Sequence, residues 1–98
     1  MEAYEAFAKG MLNLRIESYE ALDRAVLFFE RAVALDPGDA EALNNLGVAL
    51  EQQGEFAGAK EAFEKALKIA PSSLYIQQNY DLFREADDKR NRKKKKAP

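Results

Sequence analysis

Ala40 to Ser73 reads AEALNNLGVALEQQGEFAGAKEAFEKALKIAPSS, with Leu43, Leu46, Gly47, Leu50, Ala59, Phe63, Ala66 and Pro71 as its framework. Moving back 34 positions from Ala59, Phe63, Ala66 and Pro71 lands on Ala25, Phe29, Ala32 and Pro37. Four matches at one fixed offset mark an internal repeat. A period of this length denotes a helix–turn–helix unit that cannot bury its apolar face alone, so neighbouring units stack.

Within the unit, Asp39 stands where a helix N-cap belongs, and Leu43, Leu46, Gly47 and Leu50 recur at helical spacing. Gln53-Gly54-Glu55 interrupts the pattern, with Gly54 the stop. A second helix puts Phe56, Ala59, Ala62, Phe63, Ala66, Leu67 and Ala70 on one face. Pro71 ends it, and Ser72 or Ser73 caps the next helix. This framework resembles the tetratricopeptide repeat along its whole length. Gly47, Ala59 and Ala66 are small where two helices touch, and Leu43, Leu50 and Phe63 fill the space between. Leu43 departs from the family, which often has Trp there. Gly58 costs about 1 kcal/mol against Ala inside a helix, and is expected to mark a close approach by a neighbouring backbone.

In the first unit the second helix is clear (Leu22, Ala25, Val26, Phe29, Ala32, Val33) and the turn Asp36-Pro37-Gly38-Asp39 closes it. The first helix does not align at 34. Tyr4, Phe7, Ala8 and Met11 fit the framework after an insertion of about five residues; Gly10 fits after three, but Lys9 and Asn13 then face the core. The first shift is preferred because it buries only apolar groups. Either lengthens the hairpin, with a turn near Glu17-Ser18 and Ser18 as N-cap. From Ser73 a third unit begins, with Ile76, Tyr80 and Phe83 as packing stripe but Asp81 and Arg84 at framework positions. This resembles the solvating helix that closes such arrays. The expected fold is all-α: a tetratricopeptide helical-hairpin solenoid of two repeats plus a C-terminal capping helix, five helices in all, with a disordered basic tail. Its boundaries are a domain over 1–88 (repeat 1 about 2–37, repeat 2 40–73, capping helix 73–89) and a tail over 89–98.

The 98 residues suit one small domain, and 47% apolar content supplies a core. No apolar run approaches the roughly 20 residues that span a bilayer. Met1-Glu2-Ala3-Tyr4-Glu5 is acidic and helix-like, unlike a signal peptide. The chain has no cysteine, which fits a reducing cytosol, and a cytoplasmic location is expected. It has no histidine either, which removes the commonest general base and transition-metal ligand. The glycines do not space as a phosphate loop. Glu17/Glu20, Glu61/Glu64 and Asp87/Asp88 lack a partner base, nucleophile or metal ligand. Neither catalysis, nor a cofactor, nor a small-molecule substrate is expected.

Two surfaces are candidates for binding. The family resemblance implies a concave groove lined by the first helix of each unit. That places Glu41, Asn44, Asn45, Val48, Glu51 and Gln52 there, and Tyr75, Gln78, Asn79 and Leu82 from the capping helix. Amides suit an extended peptide because each donates and accepts, and Tyr75 adds rigid contact area. The plainer alternative is a solvated polar face. Of the residues with which chaperone-binding relatives clamp a C-terminal carboxylate, only Asn45 has a counterpart. An acidic chaperone tail is therefore not the expected partner; another protein or peptide, basic or neutral and apolar, is. The second surface follows from charge. Residues 1–88 hold 8 Lys/Arg against all 17 Asp/Glu, a balance of −9, whereas 89–98 hold 7 Lys/Arg and no acid. Lys89, Arg90, Arg92, Lys93, Lys94, Lys95 and Lys96 repel one another, so disorder is expected. They suit a polyanion, nucleic acid or acidic membrane surface, without base stacking. The alternative function is a self-associating scaffold, a homodimer through Leu12, Leu14, Ile16 and Tyr19, whose tail contacts the polyanion.

Overall fold

The structure, a computed structural model, describes residues 19–96, with side chains as far as Lys93. The first helix of the first unit, its register and the Ser18 cap lie outside the described residues, as do Leu12, Leu14 and Ile16. Four helices are described: α1 (Tyr19–Leu35), α2 (Ala40–Gln53), α3 (Phe56–Ile69) and α4 (Leu74–Lys96).

Local chemistry sets each boundary. Asp36 Oδ1 accepts from the Gly38 N–H (3.1 Å), closing the first turn. Asp39 then caps α2, its Oδ1 accepting from the Ala42 N–H at 3.0 Å. Gly54 ends α2 at φ 86°, a left-handed conformation that glycine takes without a Cβ penalty. Its N–H donates to the Glu51 carbonyl and the Glu55 N–H to that of Leu50 (2.9 Å), so two otherwise orphaned carbonyls are satisfied. Of the two serines after Pro71, Ser73 is the cap: its Oγ accepts from the Ile76 N–H.

α2 packs between α1 and α3, and α4 lies against α3 and α2. Ala25, Val26 and Phe29 of α1 meet Ala49, with Leu46 and Leu50 alongside. Leu43, Ala66 and Ile76 join α2, α3 and α4. Ala59, Phe63 and Phe83 form the third cluster, flanked by Val48, Leu50, Phe56 and Tyr80. The stripe of Ile76, Tyr80 and Phe83 is the core face of α4, and Asp81 and Arg84 are exposed. Gly47 meets its predicted neighbour: a Cβ there would stand 3.0 Å from Phe63 Cε1 and Cζ. Gly58 does not face a backbone. Its nearest neighbour is the tip of the Leu50 side chain, 3.4 Å from a Cβ position.

The expectation of a disordered tail from residue 89 is corrected. α4 crosses that boundary and continues to Lys96. Two features of the sequence account for this. Glu85 pairs with Lys89 one turn on (3.5 Å), and Asp87 with Arg90 (3.0 Å). Cations in the final turns also complement the negative end of the helix dipole. The capping helix is thus 23 residues long rather than ending at 89.

Candidate functional site

α2 and α4 are joined by a chain of side-chain amides. Asn79 Nδ2 donates to Asn44 Oδ1 at 3.2 Å, and Asn44 Nδ2 donates to Asn45 Oδ1 at 3.4 Å. Asn44 is fully buried and Asn45 nearly so. The expectation that both line an open groove is corrected on this point. A buried amide needs hydrogen-bond partners, and these amides supply each other's, so they fasten the helices together.

The remaining predicted groove residues stay accessible. Glu41, Gln52 and Gln78 are exposed, and Val48, Glu51 and Asn79 half-buried. Val48 leans on the Phe63–Phe83 cluster. Tyr75 and Leu82 are 53% and 65% exposed, a large apolar area for two residues one heptad apart. At 3.6 residues per turn they lie nearly above one another, with Gln78 between. Ile76 and Phe83, their chain neighbours, are 1% exposed. The open face of α4 is therefore backed by its packed face, and its position is fixed by the core.

At the far end of that face sits Arg90, expected in a free cationic tail. It is half-buried instead. Its guanidinium carbon lies 3.5 Å from the Phe56 ring centroid and 5.9 Å from that of Phe83, while one guanidinium nitrogen pairs with Asp87 at 3.0 Å. Stacking over one ring while pairing a carboxylate suits the planar guanidinium. Glu51 of α2 is close enough to sense both charges. Burial pushes its carboxyl above the usual range, Arg90 draws it back, and Asp87 adds to the rise. Replacing Arg90 by Met keeps bulk over Phe56 but removes the charge. Arg90→Met is expected to cost about 1 kcal/mol, measured by urea titration. It also raises the Glu51 pKa further, seen as a shifted carboxylate resonance in an NMR pH titration. An unchanged Glu51 titration would dismiss the coupling.

Lys89, Arg92 and Lys93 are exposed. Counting along α4 from Tyr75, Gln78 is i+3, Leu82 i+7, Lys89 i+14 and Lys93 i+18. All fall within one narrow arc of the helix. The sequence separated a groove from a tail; the uninterrupted helix sets Lys89 and Lys93 on the same face as Tyr75 and Leu82.

Among the described residues no group of His, Cys, Asp and Glu is arranged to hold a metal ion, and no helix is long and apolar enough to cross a membrane. Tyr80 gives its hydroxyl to Glu64 Oε2 (3.1 Å), and both burial and this bond raise its pKa.

Comparison with known proteins matches residues 40–73 to the family model of the tetratricopeptide repeat. The chain is 36% identical over 73 residues to protein O-mannosyl-transferase TMTC1 of Mus musculus, a span of 74% of this chain and 7% of that protein. It is 36% identical over 66 residues to the tetratricopeptide repeat domain-containing protein PYG7, chloroplastic, of Arabidopsis thaliana, covering 67% and 22%. With superkiller protein 3 of Schizosaccharomyces pombe the identity is 28% over 67 residues, covering 68% and 5%. The chain spans less than a quarter of the length of these relatives. What is shared is the repeat, an architecture that generally mediates protein–protein contact; the transferase name of one relative attaches to a protein of which the match covers 7%.

Proposed function

With residues 40–73 a tetratricopeptide repeat, we propose that the chain is a noncatalytic interaction module that holds a segment of another protein along the face shared by α2 and α4. The observation that carries this reading is the exposure of Tyr75 and Leu82 on a helix whose adjoining face, Ile76 and Phe83, is packed into the core. Rigid aromatic and aliphatic anchors bind at low entropic cost. Gln78, between them on α4, and Gln52 on α2 are exposed amides that suit a peptide backbone. Glu41, Val48 and Asn79 complete the lining. Asn44 and Asn45 lie buried beneath this lining and touch no ligand. The partner is an internal segment rather than a carboxylate-terminated chaperone tail, because Asn45, the one residue shared with the clamp, is buried.

The test is capture from a cell extract at physiological salt, quantified by mass spectrometry, with the unaltered chain and with a Tyr75→Ala/Leu82→Ala double variant. These side chains are mostly exposed, so the double variant is expected to unfold within about 1 kcal/mol of the parent. Most captured protein is expected to be lost. Retention of the same set would place binding elsewhere. A set lost on nuclease treatment would favour the competing reading, a self-associating scaffold whose cations contact a polyanion.

A further inference from the structure

The charge on the open face of α4 changes along its length. α2 and α4 run in the same direction, since Asn44 bonds Asn79 and Glu51 neighbours Asp87. Glu41 precedes Asn44 by three residues and Tyr75 precedes Asn79 by four, which puts exposed Glu41 at the Tyr75 end. At the other end α2 runs out at Gln53, two residues beyond Glu51, and Glu51 is already level with Asp87 and Arg90. Glu51 is the last carboxylate of α2, and the exposed Lys89, Arg92 and Lys93 follow Asp87 on α4. Glu85 engages Lys89 at 3.5 Å, but both side chains are 64% exposed, so the pair is loose. Arg90 is committed to Phe56 and Asp87, whereas Lys93 is exposed.

We propose that this face recognises an acidic amphipathic segment of a partner protein, which sets apolar side chains on Tyr75 and Leu82 and carboxylates on Lys89 and Lys93. The proposal rests on the reading of the α2–α4 face as the binding surface and adds the chemistry of its occupant. Lys89 stands seven positions after Leu82, about 10 Å along the helix axis. An extended peptide covers that distance in about three residues. Glu41 at one end and the lysines at the other set the orientation, because a segment laid in reverse would bring its carboxylates to Glu41. The overall balance of −9 over residues 1–88 argues against acidic partners only while the cations are treated as a separate tail. On a continuous helix they belong to the face itself. The pattern also differs from capture of a chain terminus, because lysines on successive turns offer separated contacts and no pocket for one carboxylate.

The probes are fluorescein-labelled, acetylated and amidated twelve-residue peptides whose one half carries Leu and Phe and whose other half carries four Glu. Companions replace Glu by Gln or by Lys, and one version ends in a free carboxylate. Binding is read by anisotropy at about 0.05 M and 0.5 M salt with the full chain, with Lys89→Gln/Lys93→Gln, and with Tyr75→Ala/Leu82→Ala. The Glu peptide is expected to bind about tenfold more tightly than the Gln peptide at low salt, with most of that difference lost at high salt. The lysine variant, its helix content checked by circular dichroism, should lose the same difference, and the free carboxylate should add nothing. No binding of the Glu peptide, or Gln and Glu peptides binding alike through Tyr75, would overturn the proposal; the second result would leave the interaction face standing. Binding that depends on Lys89 and Lys93 but is indifferent to Tyr75 and Leu82, with an RNA oligonucleotide outcompeting the peptide, would overturn it in favour of a polyanion surface.

Discussion

Phe63→Ala is expected to cost about 3–5 kcal/mol, enough to abolish cooperative unfolding in a domain of this size. Phe63 is fully buried where α2, α3 and α4 meet. Its ring lies against the bare Cα of Gly47, with a Cβ position only 3.0 Å away. Its centroid stands 5.4 Å from Phe83 and 6.1 Å from Tyr80, in tilted arrangements that aromatic pairs favour. Removing the ring thus leaves a void bordered by three helices, and no single side chain is free to fill it. Phe63→Leu retains much of the volume and should lose less, about 1–2 kcal/mol. Thermal melts followed at 222 nm separate the two. An alanine variant that melts cooperatively within a few degrees of the parent would show that the junction repacks.

The repeat was legible in the sequence because its framework residues act locally and in pairs. Gly47 and Phe63 are both diagnostic and physically coupled: each is what it is because of the other. The caps were legible for the same reason, since Asp39 and Gly54 act within three or four residues of themselves. What the sequence could not show is which polar side chains face one another across helices. Asn44 and Asn79 are 35 positions apart, and periodicity places both on the exposed arc of an isolated helix. Only the approach of α4 to α2 converts that arc into an interior. The 34-residue register does not announce the pair either, since it aligns Asn79 with Asn45 and Asn44 with Gln78, and the bond crosses that register by one residue. Composition misled at residue 89 in a different way. Seven cations in eight residues read as self-repelling, but Glu85 and Asp87 one turn earlier and the helix dipole offset that repulsion. Arg90 was hidden within the run because nothing in its neighbours announces that Phe56 lies beneath it.

Asn44→Leu is expected to destabilise the chain by about 2–4 kcal/mol without touching the binding surface. Leucine keeps the branching of asparagine but is bulkier, so in this closed site overpacking adds to a cost that is mainly polar. Both partners lose a bond: Asn79 Nδ2 its acceptor and Asn45 Oδ1 its donor. Each stranded group in a site closed to water costs about 1–3 kcal/mol. Asn79 is only half-buried and recovers some of that by hydration, which keeps the total below the sum. Replacing Asn79 by Leu as well removes one orphan and should restore about 1 kcal/mol, a coupling that a double-mutant cycle in urea measures directly. The functional contrast is sharper than the loss itself. At a temperature where Asn44→Leu remains folded, it should bind a partner segment within about twofold of the parent, because buried amides touch no ligand. Tyr75→Ala should do the reverse, keeping stability and losing affinity. If Asn44→Leu instead loses binding while melting like the parent, the amide chain opens on engaging its ligand, and Asn44 and Asn45 return to the surface where the sequence first placed them.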